Sequence, residues 1–214
     1  MTNNPQDRDS WIAKRRGKLT ASRIGIVTRR KKDGKPYAGY AEYLMELVVE
    51  RLTNQATEHF VSDAMQWGID QEEAAAQHYA FECGVEVQFS DFIDHPTIPM
   101  SGASPDRLVG DEGLLEIKCP TTKVHVDFLL TGQINIDYQW QMLWQMICTG
   151  RRWCDFMSYD PRLPVHLQSK IVRVHLDGAM KVEAEMAVRE ALTIVDRDEA
   201  ALRALDTQTI EQAA

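Results

Sequence analysis

The apolar positions change their period along the chain, and each change marks an element. Residues 1–10, MTNNPQDRDS, show no period and read as a loose lead-in. From Trp11 the text WIAKRRGKLTAS reads as a short basic turn, with Thr20 or Ser22 as the N-cap of a helix running through Ile24 and Val27. Tyr40, Tyr43, Leu44, Leu47, Val48 and Leu52 recur at three and four residues. That spacing predicts an amphipathic helix over 39–54 with Tyr40, Leu44, Leu47 and Val48 inward. A further helix is predicted over 62–83, carrying Trp67, Glu72, Ala75, Ala76 and Tyr79, with Gly84 as its left-handed stop. After Gly84 the period falls to two. VEVQFSDFI reads as a strand, 101–109 and 113–119 follow as strands, and Gly110–Gly113 forms the hairpin turn of an antiparallel meander. Helices over 122–132 and 137–149, strands at RRWCDFMSYD and SKIVRVHL and a long helix over 178–205 complete an α/β pattern without internal repeats.

Composition narrows the class. A chain of 214 residues, 44% hydrophobic and 26% charged, suits a single globular domain over 1–214 with its own core. Apolar runs stay well short of the roughly 18 residues of a membrane span. The polar start lacks the apolar stretch of a signal peptide, so a cytosolic protein is expected. Cys83, Cys119, Cys148 and Cys154 form no C-x-x-C pair and read as reduced core thiols. The six histidines, His59 among them, form no H-x-x-x-H pattern, and none is assigned to a metal. The net charge of −8 is unevenly spread: residues 1–52 hold 12 Lys and Arg against 6 Asp and Glu, a local +6, and the remainder carries −14. The N-terminal quarter is therefore a basic face, and RRKKDGKPY, residues 29–37, is an exposed cationic loop.

Candidate chemistry is concentrated in Ser104-Pro105-Asp106 and, ten positions after Asp106, Glu116-Ile117-Lys118. On a strand, residues two apart share a face, so Glu116 and Lys118 point one way while Leu115 and Ile117 face the core. If Asp106 lies on the partner strand, its carboxylate meets that of Glu116. Two converging carboxylates call for a cation, and hard oxygen ligands without histidine favour Mg²⁺ or Mn²⁺. Taken alone, Glu116 and Lys118 could equally be an ion pair on a solvent face, Arg15 and Arg16 surface charges, and Ser22 a helix cap. Trp67, Trp140, Trp144 and Trp153 read as core packing rather than base-stacking platforms.

The spacing of Asp106, Glu116 and Lys118 resembles the PD-(D/E)XK nuclease signature. WIAKRRGKLTAS (11–22), WGIDQEEAA (67–75), GASPD (102–106), LEIKCP (115–120), YQWQ (138–141) and YDPR (159–162) follow, in order, the pattern of the lambda exonuclease or YqaJ-type alkaline exonucleases of phage recombination. The resemblance covers most of the chain. It implies a PD-(D/E)XK restriction-endonuclease-like core, a twisted mixed β-sheet flanked by helices. It also implies that Asp106, Glu116 and the main-chain carbonyl of Ile117 bind metal, that Glu72 holds a second ion directly or through water, and that Lys118 orients or deprotonates the attacking water with Gln141 beside it. Lys118 would there lose part of its proton affinity.

The same resemblance maps a 5′-phosphate pocket onto Arg15, Ser22 and Ser104, with Ser22 at a helix N-terminus. It places Arg29, Arg30, Lys31, Lys32 and Lys35 against the incoming duplex, and Met65 where the family has an apolar wedge that parts the terminal base pair. The implied activity is a Mg²⁺-dependent 5′-to-3′ exonuclease with two ions, Mn²⁺ substituting. It would degrade one strand of linear double-stranded DNA to mononucleotides, leaving a 3′ overhang for single-strand annealing. A ring-shaped homotrimer, an annealing protein as partner and a phage or prophage origin in a bacterial cytoplasm are further implications. Two other readings are a structure- or site-specific endonuclease of the same superfamily and a non-enzymatic DNA-end or recombinase scaffold. The sequence departs from the family at Arg107, where the aspartate is usually followed by glycine, which implies an ordinary backbone there. It also departs at Glu73, beside Glu72: neighbours on a helix lie about 100° apart, so only one is expected to point inward.

Overall fold

The computed structural model describes residues 5–58 and 61–212, so residues 1–4 of the expected lead-in, His59 and Phe60 lie outside the described residues. Where a loose lead-in and a basic turn were expected, Pro5–Arg15 is a helix, α1. Its first half is polar and carries no apolar stripe to announce it.

The alternating stretches build two sheets, not one meander. The larger has the order β2 (Val87–Phe89), β5 (Arg107–Val109), β6 (Gly113–Lys118), β7 (Trp153–Tyr159), β8 (Ser169–His175). Only β6 and β7 run parallel; the other pairs are antiparallel. The smaller sheet joins β1 (Leu19–Thr20), β4 (Ser101–Ala103) and β3 (Ile93–Asp94), again mixed. The predicted strand 85–93 is thus split between sheets, and so is 101–109, which breaks at Ser104-Pro105-Asp106 as the chain crosses from β4 to β5. Proline has no N–H to offer a ladder, which suits that crossing. At the hairpin between β5 and β6, a Cβ on Gly113 would lie 2.1 Å from the Trp153 ring, so only glycine fits.

The parallel step from β6 to β7 needs a crossover, supplied by α5 (Thr122–Thr131) and α6 (Ile136–Thr149). Met142 and Met146 of α6 pack with Leu114, Cys154 and Phe156 on one face of the large sheet. On the other face α4 (Asp63–Cys83) brings Ala75, Ala76 and Tyr79 against Val109, Leu115, Ile117 and Met157. Ser62 caps α4, and Gly84 ends it at φ 64°. The outer side of α6, with Trp140, Leu143, Trp144 and Ile147, meets α2 (Ile24–Thr28), α3 (Tyr40–Thr53) and α7 (Gly178–Gln212) in a second core that also covers the small sheet. In α3 it is Tyr43 that is fully buried, while Tyr40 packs at the margin.

Both faces of β6 are therefore covered, and Glu116 is 0% exposed rather than on a solvent face. Of the cysteines, Cys148 and Cys154 are core thiols, but Cys119 is half-buried and Cys83 is exposed. Among the described residues, no helix is long and apolar enough to cross a membrane.

Candidate active site

The β-register brings the acidic residues to one end of the large sheet. Arg107 pairs with Leu115, so Asp106, one residue before β5, continues the ladder opposite Glu116. Its carboxylate Oδ2 accepts a hydrogen bond from the Ile117 main-chain N–H at 2.7 Å. Burial, and then the negative charge of Glu116, push the Asp106 carboxyl well above the usual carboxylate range; Lys118 pulls the other way, and Glu72 adds to the push. Glu116 accepts from Gln141 Nε2 at 2.6 Å and from Gln145 Nε2 at 2.7 Å, and it pairs with Lys118 Nζ. Two amides and an ammonium thus hold one buried carboxylate.

The expected loss of proton affinity at Lys118 depends on bound metals, and without them the amine holds its proton firmly. Burial works to lower its pKa, but the charges of Glu116 and Asp106 outweigh burial and raise it, so the amine stays protonated in the metal-free protein. Its Nζ also lies 4.9 Å from the Tyr138 ring centroid.

On the opposite face, α4 presents Glu72 and Glu73. The side chain of Glu72 is 17% exposed and that of Glu73 68%, so Glu72 is the inward one. Yet both reach the same partner: Arg107 Nη1 donates to Glu72 Oε1 at 2.9 Å and Nη2 to Glu73 Oε2 at 2.8 Å. Among the described residues, no three Asp, Glu, His or Cys side chains converge as a ready-made metal site. Asp106 and Glu116, with the Ile117 carbonyl that the resemblance adds, would offer a hard-oxygen donor set, and the elevated Asp106 carboxyl marks a place where added positive charge would relieve repulsion. One divalent cation fits that set.

A second constellation surrounds Arg15, at the end of α1. Its guanidinium donates to Ser104 Oγ at 3.1 Å, Ser22 Oγ at 3.3 Å and Thr20 Oγ1 at 3.4 Å, and lies 4.1 Å from the Trp11 ring centroid. Trp11 Nε1 donates to the same Ser104 oxygen at 3.1 Å. Burial pulls the Arg15 pKa down to about 10, and among the described residues no carboxylate pairs with it. The structure brings Arg15, Ser22 and Ser104 together, adding Thr20 and Trp11, which the sequence reading did not place in this pocket. Ser22 lies within a 3₁₀ turn, residues 21–23, whose cap Thr20 makes no side-chain capping bond, so the hydroxyls rather than a helix N-terminus frame this pocket.

Gln145 was also missed. It is a single amide inside the buried run 142–148, where only a partner such as Glu116 justifies a polar side chain, and that was the available signal.

The cationic loop divides. Arg29 grips both oxygens of Asp137 at 2.9 Å and stacks on Tyr37, and its pKa is raised chiefly by that hydrogen bond. Arg30 bonds the Val27 carbonyl, approaches Glu190 at 3.5 Å and stacks on Tyr40. Lys31, Lys32 and Lys35 are exposed, with Lys35 3.5 Å from Asp33. Met65 stands 55% exposed in the first turn of α4. Two motif blocks meet a third at Arg162, which bonds Asp160 and the Pro120 carbonyl and lies over Trp67, bracing α4 against the strand end.

The chain as a whole has counterparts in known proteins. The family described as YqaJ-like viral recombinase domain matches residues 10–152. The alkaline exonuclease LHK-Exo from Laribacter hongkongensis is 41% identical with a TM-score of 0.87, covering 94% of this chain and 99% of its own. The same exonuclease in complex with dAMP matches at 40% identity with the same TM-score and the same coverage of both chains. A phage related exonuclease from Haemophilus somnus 129PT, at 13% identity and TM-score 0.68 over 86% of this chain and 96% of that one, shares the fold. No curated protein sequence matches.

Proposed function

Since the chain belongs to the family of YqaJ-like viral recombinase domains and is a homologue of an alkaline exonuclease, we propose that it is a divalent-metal-dependent exonuclease. It acts on linear double-stranded DNA, digests the strand that begins with a 5′-phosphate, and releases mononucleotides. The observation that carries this reading is the position of Ser104. Its hydroxyl belongs to the Arg15 cradle, and Asp106 follows two residues later. Two residues of chain span at most about 7 Å, no more than the scale of one nucleotide step. An anion held by Arg15 would therefore set the next phosphodiester beside the carboxylates.

Each residue then has a task. Arg15, with Ser22, Thr20 and Ser104, offers a fork and hydroxyls to a terminal phosphate. Asp106, Glu116 and the Ile117 carbonyl hold Mg²⁺ or Mn²⁺, which when bound supplies a Lewis acid and an acidified water. Lys118 and Gln141, both on Glu116, orient that water, and Lys118 can take its proton only once a bound cation relieves the Asp106 and Glu116 charge that now keeps the amine protonated. The complex of the relative with dAMP supports a mononucleotide product. Lys31, Lys32 and Lys35 are the loop cations best placed to meet a duplex, because Arg29 and Arg30 already have partners. Met65, exposed at the start of α4, takes the part of the apolar wedge. A ring-shaped homotrimer around the DNA, an annealing protein as partner and a role in phage-type recombination in a bacterial cytoplasm complete the reading.

The test is a linear duplex carrying a label at either the 5′ or the 3′ end of one strand, digested with and without Mg²⁺. Early release of the 5′ label as a mononucleotide, only with Mg²⁺, is expected. Internal fragments, earlier release of the 3′ label, or digestion without a divalent ion would overturn the proposal.

A further inference from the structure

Arg107 was expected to matter only for the backbone, yet it is 4% exposed and held from three sides. Nη1 donates to Glu72 Oε1 at 2.9 Å and to the Asp106 carbonyl at 2.6 Å, and Nη2 donates to Glu73 Oε2 at 2.8 Å. A guanidinium keeps its proton at any working pH, so this strand carries a permanent positive charge against one side of the acidic group. Glu72 is close enough to Asp106 to add to the upward push on its carboxyl. Glu72 thus repels the Asp106 charge while it is hydrogen-bonded to Arg107.

A cation bridging Glu72 and Asp106 would compete with Arg107 for a carboxylate oxygen and would sit against its charge. The donor set of Asp106, Glu116 and the Ile117 carbonyl has a weaker competitor. Lys118 leans on Glu116 through a single ammonium at the end of a flexible stem, whereas Arg107 is fixed by three hydrogen bonds.

We propose that Arg107 is a positioning residue that takes, for Glu72, the place of a second divalent cation, so that the protein binds one such ion firmly and a second only weakly. The second ion enters when Glu72 releases the guanidinium. This rests on the metal-dependent reading given above and adds to its single ion a second, weaker one at Glu72.

Mn²⁺ titration of the intact protein, followed by the electron paramagnetic resonance signal of the free ion, reads the sites without any turnover. The unmodified protein should show one site and a second at least roughly tenfold weaker, the scale expected for a neighbouring unit charge. Arg107→Gln removes the charge but keeps an amide able to reach Glu72, and should strengthen the second site by about tenfold while moving the first less than about threefold. Should circular dichroism show this variant unfolded, Glu73→Gln, on an exposed side chain, carries the test. It removes the negative charge that competes with Glu72 for Arg107 and should weaken the second site further. Two sites of equal affinity in the unmodified protein, or a second site unmoved by the substitution, overturn the role of Arg107 alone. Absence of any Mn²⁺ binding overturns the metal-dependent reading and this inference with it.

Discussion

The strand end around Asp106 and the cradle around Arg15 are joined by Ser104 and Pro105, yet they are electrostatically incomplete in opposite senses. Around Asp106 the problem is excess negative charge: its carboxyl is driven up by burial and by Glu116, even with Lys118 in place. Around Arg15 the problem is a half-buried cation surrounded by hydroxyls and an indole, with burial lowering its pKa to about 10 and no carboxylate pairing among the described residues. A buried charge without a paired counter-charge is costly, and for Arg15 the charge of Glu50 offsets burial only in part. On the proposed reading, the first region takes a cation and the second an anion. Arg107 shows the alternative, an acidic pair completed by the protein itself.

The largest expected effect comes from the residue that belongs to the negative region but carries the opposite sign. Lys118→Ala should lower cleavage by about 10²- to 10⁴-fold, the range for loss of a positioned proton-transfer group, while DNA binding in a mobility-shift assay stays within about twofold. Glu116 would keep its two amide donors, Gln141 and Gln145, so the carboxylate stays in place. Cleavage within tenfold of the unmodified protein would break the division of labour between the two regions.

Smaller, and confined to the other region, is the effect of Arg15→Ala. A charge-assisted hydrogen bond is worth about 1.5–3 kcal/mol, so the preference for a 5′-phosphorylated end over a 5′-hydroxyl end should fall by roughly 10- to 100-fold. Processivity should fall more than the rate of a first cut. The unmodified protein digesting both ends equally would mean that the cradle does not read the terminal phosphate.

Much of the negative region was legible in the sequence because a strand's two-residue period is local: it alone places Glu116 and Lys118 on one face and Leu115 and Ile117 on the other, as found. Gly84 as the stop of α4 was legible for the same reason. The break of 101–109 was not, since alternation runs on through Ser104 and Asp106 while the choice between two sheets depends on partners elsewhere in the chain. Helix α1 escaped because Pro5–Ser10 offers no apolar stripe. The role of Arg107 was invisible for a related reason: its acidic partners lie 34 and 35 residues away on a helix across the sheet, and nothing near Arg107 in the chain signals them.

The smallest predicted effect tests the sign of the comparison directly. An acid whose pKa is raised by folding binds its proton more tightly in the native than in the unfolded chain. Its contribution to stability is therefore full below the unfolded value near 4 and is lost as pH rises through the folded value. The metal-free protein should accordingly lose stability over that interval on account of Asp106. Asp106→Asn removes the charge while its side-chain oxygen can still accept from the Ile117 N–H. It should raise the melting temperature of the metal-free protein at pH 8 by roughly 2–4 °C, with little gain at pH 4. Added Mg²⁺ should raise the melting temperature of the unmodified protein more at pH 8 than at pH 5 and leave that of the variant nearly unchanged. A fall in melting temperature on substitution would mean that Asp106 is already compensated within the protein, as Glu72 is by Arg107, and that the strand end has no vacancy for positive charge.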